Sequence, residues 1–186
     1  MNGLTSELDL TVVKAEVGAP APDFALTGEN GAEWRLSEQR GRVVALLFYP
    51  RNETLVCTKQ LCSVRNNWRD YVATKATVVG VSPGTPEEHR QFAQRHKLPL
   101  PLLADTNRRI TEIYTSSPWI PTYFMRGIVV IDALGIVRTR KTMLRAFRPT
   151  DYTVLTAIYA AKSDAARAKY NAILEESRRR PKNSVF

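Results

Sequence analysis

Cysteine and histidine are scarce in this chain: two of each among 186 residues, Cys57 and Cys62, His89 and His96. Two cysteines allow one disulfide at most, which excludes a secreted scaffold stapled by several bridges. There is no C-x-x-C pair of the kind a dithiol carrier uses, and no Cys/His/carboxylate array with zinc-ligand spacing. Long hydrophobic runs are missing too. The longest, Val43–Tyr49, is far too short to span a bilayer. The N-terminal text MNGLTSELDL carries acidic residues and no apolar signal-peptide core, so the expectation is a reducing, cytoplasmic setting with no membrane partner. No internal repeat is present.

Acidic residues are also in short supply, 18 against 27 lysines and arginines, a formal net charge of +9. Such an excess can attract nucleic acid. Here it is scattered, and the densest run, Arg178–Arg180 with Lys182, lies near the C-terminus without interleaved aromatics. The charge therefore reads as a solvated basic surface rather than a nucleic-acid site. The length suits one domain with a full core. The expected organisation is an N-terminal arm over residues 1–16, a domain over 17–176 and a basic tail over 177–186.

Within the domain, Phe24–Thr27 and Trp34–Leu36 flank a glycine-containing turn and predict a short hairpin. Val43–Tyr49 is continuously apolar and predicts a central strand covered on both faces. Pro50 ends it, since proline cannot donate to a ladder. Thr54 then fits the N-cap of a helix from Leu55 to about Val72, with Leu61, Val64, Trp68 and Val72 on one face. Ala76–Ser82 is the next strand. Thr85-Pro86-Glu87-Glu88 has the form of a capping box with proline in the first turn, opening a helix that lasts to about Lys97. Leu100–Leu103 is a short strand and Thr106–Tyr114 a short helix. Ser116–Pro121 is a loop, and Gly127–Asp132 with Ile136–Thr142 form an antiparallel hairpin. A long helix runs from Asp151 to about Glu176, burying Val154, Leu155, Ile158 and Tyr159, then Tyr170, Ile173 and Leu174. This alternation predicts an α/β fold: a central mixed sheet with helices on both faces, an N-terminal β-hairpin and an extended C-terminal helix.

The chemistry concentrates at the corner between Pro50 and Cys62. A thiol in the first turn of a helix faces outward-pointing N–H groups, which favour an anion. The thiolate is the reactive form, and an unassisted thiol is only a few per cent ionised at neutral pH. Cys62 lies five residues on. In an intact helix the two would be about 140° apart and roughly 7.5 Å apart along the axis, a Cα separation of about 8.5 Å. That exceeds the approximately 7 Å that a disulfide tolerates, so bonding would need local unwinding. Such a pair suits a cycle rather than a permanent staple.

Pro50-Arg51-Asn52-Glu53-Thr54-Leu55-Val56-Cys57 has the P-x-x-x-T-x-x-C pattern of peroxiredoxins. Cys62 adds the C-x-x-x-x-C spacing of the bacterioferritin-comigratory, or Q-type, class. GAPAPDFAL, FYP, CTKQLCSVR, VVGVS, PLLAD and RGIVVIDALGIV resemble that class as well, so the likeness runs from about Val17 to Thr142. The resemblance implies a thioredoxin-like fold and a thiol peroxidase needing no metal or other cofactor. It implies Cys57 as the peroxidatic residue, attacking a hydroperoxide and becoming a sulfenic acid. Thr54 would hold the peroxide oxygens, Pro50 would shield the site, and Arg126 would activate the sulfur. Cys62 would resolve the sulfenic acid as a disulfide, which thioredoxin or a similar dithiol would reduce. Monomers and homodimers both occur in the class. Leu55-Val56 departs from the Pro-Gly common before its cysteine, and apolar bulk there reshapes access.

Other residues read as structural. Arg65 is expected to form salt bridges, Trp119 to pack, and His89 and His96 to be solvated on a polar helix. The rival classes are a thioredoxin-like dithiol or metal carrier and a basic nucleic-acid-binding module.

Overall fold

A computed structural model describes residues 14–117, 119 and 121–179. Most of the arm and the tail beyond Arg179 thus lie outside the described residues. In chain order the elements are β1 (Ala25–Gly28), β2 (Glu33–Arg35), β3 (Val44–Phe48), α1 (Leu55–Asn66), α2 (Trp68–Ala73), β4 (Thr77–Ser82), α3 (Pro86–His96), β5 (Leu102–Ala104), α4 (Arg109–Thr115), β6 (Met125–Ile131), β7 (Val137–Leu144) and α5 (Asp151–Arg179). The strands form one sheet in the order β2-β1-β5-β4-β3-β6-β7. β3 pairs in parallel with β4, as β4 does with β5, and the remaining pairings are antiparallel. The mixed sheet, the N-terminal hairpin and the long C-terminal helix agree with the pattern of the sequence.

β3 is buried along its whole length because it sits at the centre. Its side chains alternate between two cores, as the two-residue period of a strand requires. Val43, Ala45, Leu47 and Tyr49 pack with Cys57, Leu61, Tyr71, Phe92 and Ile158 from α1, α2, α3 and α5. Val44, Leu46 and Phe48 pack with Phe24, Ile110 and Tyr114 on the opposite face. A continuous apolar run is what two covered faces demand.

The helix after the corner is shorter than its periodicity suggested. It breaks at Asn67, whose side chain donates to the Ser63 carbonyl at 3.0 Å and to Asp151 Oδ2 at 3.0 Å. The break resets the phase: Tyr71 faces the core and Val72 is exposed, contrary to the expected face. On α5 the buried stripe runs through Val154, Ile158, Ala161 and Ala165; Tyr159 lies off that stripe and Tyr170 and Ile173 lie beyond it, so all three are exposed. The side chain of Leu174 lies outside the described residues. Trp119 is 88% exposed and does not pack as expected. The capping box at Thr85 forms in full.

Several cations meet the carbonyl oxygens that helices leave unpaired at their C-termini. Arg65 Nη1 donates to His96 O at 2.6 Å at the end of α3, so its structural role runs through a carbonyl rather than a carboxylate. Arg140 Nε donates to Tyr114 O at 2.9 Å in α4, and Lys162 Nζ to Thr74 O at 2.9 Å after α2. Among the described residues no helix is long and apolar enough to cross a membrane.

Asp151 ties α5 to the other helices. Its carboxylate accepts from Ser63, from Asn67 and from the Tyr71 hydroxyl at 2.7 Å. Burial, followed by that bond and the carboxylate charge, pushes the Tyr71 phenol far up, so it remains a donor. Replacing Asp151 by Ala leaves the Tyr71 hydroxyl without its acceptor and should cost about 2 kcal/mol or more in urea unfolding.

Candidate active site

The corner is built by register. β3 and β6 run antiparallel with Phe48 opposite Gly127, so Arg126 emerges beside the end of β3, where Tyr49 and Pro50 lead into α1. Cys57 sits at the third residue of α1 and is fully buried. Arg126 is also fully buried, and its Nη2 donates to Cys57 Sγ at 3.2 Å. Its Nη1 donates to Gln60 Oε1, and Nη2 also reaches Arg145 O at 3.4 Å. Among the described residues no carboxylate pairs with this guanidinium. A buried charge without a counter-ion is costly. The Cys57 sulfur sits among the acceptors in its reach, in the first turn of α1.

Thr54 is the N-cap by backbone geometry, and Thr58 N donates to its carbonyl at 2.9 Å. Its hydroxyl does not cap. It points instead to Arg51 O at 3.5 Å, which corrects the expected side-chain cap. Pro50, Thr54 and Arg126 line one cavity of about 340 Å³, with Leu55, Val56, Tyr123 and Ala146 as its apolar walls. Arg126 lines the cavity and Cys57 does not; the sulfur is in contact with that lining guanidinium. Cys62 is partly buried and both thiols are free. Both lie within the continuous helix α1, so the separation of about 8.5 Å expected of an intact helix applies.

Three contributors escaped the sequence reading. Gln60, one turn after Cys57, is buried and orients Arg126. Its i+3 spacing from Cys57 was the available signal. Tyr123 lies under the guanidiniums of Arg108, 4.9 Å from the ring centroid, and Arg145, 5.6 Å away, at the pocket rim. The third is His89, expected in solvent but fully buried. Its Nε2 lies 3.2 Å from both Ser82 O and Leu103 O, and two acceptors there require Nε2 to carry the proton. Nδ1 then accepts from Asn52 Nδ2 at 2.9 Å, and Asn52 Oδ1 accepts from the Tyr49 hydroxyl at 2.9 Å. His96 is likewise not solvated as expected: it stacks edge-on with Phe92 and meets Glu53. The stripe His89, Phe92, His96 has helical spacing, which could have revealed this inner face.

A buried thiol held by a buried guanidinium at the head of a helix, on the end of a mixed sheet, defines a thioredoxin-fold thiol protein. The sequence profile of the AhpC/TSA family matches residues 17–140, and the chain belongs to that family. It is 35% identical over 99 residues to Peroxiredoxin Bcp of Bacillus subtilis, covering 53% of this chain and 63% of that protein. It is 34% identical over 126 residues to the chloroplastic Peroxiredoxin Q of Sedum lineare, covering 67% and 68%. The chain thus spans somewhat under two thirds of the Bacillus protein's length and slightly more of the Sedum protein's. Among solved structures, Peroxidoxin BcpB from Mycobacterium tuberculosis superposes with a TM-score of 0.67 at 24% identity, over 80% of this chain and 99% of that one. A reduced 2-Cys peroxiredoxin from Plasmodium vivax gives 0.69 at 21% identity, over 83% and 84%. These structural likenesses carry the fold.

Burial holds His89 below the ordinary imidazole value of 6.5, outweighing the two carbonyl bonds and the charges of Glu88 and Glu29, which act the other way. A folded value below the unfolded one means that stability from His89 is complete above about pH 6.5 and is lost as pH falls through the folded value. Urea unfolding at pH 7 and pH 5 should therefore show a loss on acidification that is smaller in His89→Gln.

Proposed function

We propose that the protein is a thiol-dependent peroxidase acting on hydrogen peroxide and organic hydroperoxides, with Cys57 as the nucleophile. The observation that carries this reading is Arg126 Nη2 at 3.2 Å from Cys57 Sγ, with that guanidinium lining a cavity. The Cys57 thiolate attacks the terminal oxygen of the hydroperoxide, and the O–O bond breaks. The departing oxygen leaves as water or alcohol after taking a proton, and the sulfur becomes a sulfenic acid. Arg126 stabilises the thiolate and then the charge growing on the leaving oxygen. Thr54, on the cavity wall, holds the peroxide in line, and Pro50 keeps bulk water away. A cavity of about 340 Å³ walled by Leu55, Val56 and Ala146 has room for a hydrocarbon substituent, which supports organic hydroperoxides as substrates. Because Cys57 is fully buried and does not line the cavity, the wall must yield slightly for oxygen to reach sulfur.

Cys62 completes the cycle in this scheme. Its thiol attacks the sulfenic sulfur, the S–S bond forms and water leaves. The first turns of α1 must unwind for the two sulfurs to meet. A thioredoxin-class dithiol then supplies two electrons to restore both thiols. The cytoplasm is the proposed setting, with the chain acting as monomer or homodimer.

Peroxide consumption by reduced protein, followed by intact mass and free-thiol count, tests the scheme. Cys57→Ser should abolish fast consumption. Cys62→Ser should allow one fast turnover and leave a sulfenic acid that dimedone traps. Arg126→Met should slow the first step about 10²- to 10³-fold. Fast consumption by Cys57→Ser would reject the assignment.

A further inference from the structure

The loop between Pro50 and α1 is held in an uncommon shape. Glu53 has a left-handed backbone, φ +57°, which a non-glycine residue adopts at a cost. Its neighbours over-determine it. Arg95 Nη1 donates to Glu53 Oε1 at 2.8 Å, and His96 Nε2 lies 3.1 Å from Oε2. One residue earlier, Asn52 is fixed by His89 and Tyr49. Each grip has a partner on α3, which is itself anchored to the sheet by His89 on the carbonyls of Ser82 and Leu103. The same helix takes hold of α1 further on, where Arg65 donates to His96 O. Between the two attachments, at Glu53 and at Arg65, lie both cysteines.

We propose that Asn52 and Glu53 are positioning residues that hold the start of α1 wound, and that their grip on α3 sets how readily Cys62 reaches oxidised Cys57. The inference rests on the peroxidase reading for its chemistry, though not for the grip itself. Sulfenic Cys57 has two fates. Cys62 attacks it, forming the disulfide and releasing water, which requires unwinding. Alternatively a second hydroperoxide transfers an oxygen to the same sulfur, giving a sulfinic acid and leaving as water or alcohol, which requires none. A tighter grip favours the second fate and a looser one the first.

Amide hydrogen exchange over residues 55–62 of the reduced protein reads the grip without any peroxide. Arg95→Gln removes an exposed partner, and Glu53→Gln removes both ionic contacts. Exchange there should rise about two- to fivefold in Glu53→Gln and less in Arg95→Gln. Raised salt should reproduce the effect in the wild type but not in Glu53→Gln. Asn52→Ala, which strips acceptors and donors from buried groups, should give about tenfold. With hydrogen peroxide as probe, disulfide formation should quicken by the same factors in Glu53→Gln and Arg95→Gln. The peroxide concentration giving half sulfinic acid should rise with it, while the first oxidation in Arg95→Gln stays unchanged. Unaltered exchange in both Glu53→Gln and Asn52→Ala overturns the proposal, as does equal slowing of the two oxidation steps. Raised exchange in a protein that consumes no peroxide upholds the grip and overturns the peroxidase reading instead.

Discussion

Arg126 is a full positive charge placed where water does not reach. Its partners are a glutamine oxygen, a carbonyl and the sulfur of Cys57. In a low-dielectric interior such a group is tolerated only when its donors are matched and its charge is answered nearby. Here Nε finds no acceptor among the described residues, and no carboxylate answers the charge. The charge is thus set directly beside one sulfur. That contact is what the proposed chemistry of Cys57 draws on.

Holding that pair in place takes a stiff frame. The central strand is packed from both sides, so the corner that follows it cannot drift with either core. Antiparallel pairing with β6 delivers the guanidinium to the same end of the sheet. α3 supplies the third support through a histidine buried against the carbonyls of Ser82 in β4 and Leu103 in β5. Three separate stretches of chain thus meet at the corner: β3 leads into it, β6 brings Arg126 to the sulfur, and α3 fixes Asn52.

Much of this was readable in the sequence. The apolar run of β3, Pro50 after it, the capping box of α3 and the late hairpin each carry a local rule that the structure obeys. The P-x-x-x-T-x-x-C text located the corner, and the text around Arg126 located its partner. The misreadings share one cause. Periodicity assumes an unbroken helix with one continuous neighbour, and tertiary contacts violate that assumption. Asn67 breaks α1 from α2 because Asp151, far away in sequence, offers its side chain an acceptor. Tyr170 and Ile173 keep the helical spacing but follow Ala165, the last buried position among the described residues of α5, and Tyr159 lies off the stripe of Val154, Ile158 and Ala161. His89 sits in a polar stretch that looks solvated, and its burial depends on carbonyls that only the assembled sheet presents.

The cations on carbonyl oxygens also explain a property of the chain as a whole. Arg65, Arg140, Lys162 and Arg126 find neutral acceptors at helix ends and turns, where most folds would use a glycine or a water. A guanidinium carries its positive charge whatever it bonds to, but a carboxylate partner brings a compensating negative charge into the chain and a carbonyl partner brings none. Part of the alkaline isoelectric character is thus a by-product of how the backbone is stitched, and requires no polyanion outside the molecule to account for it.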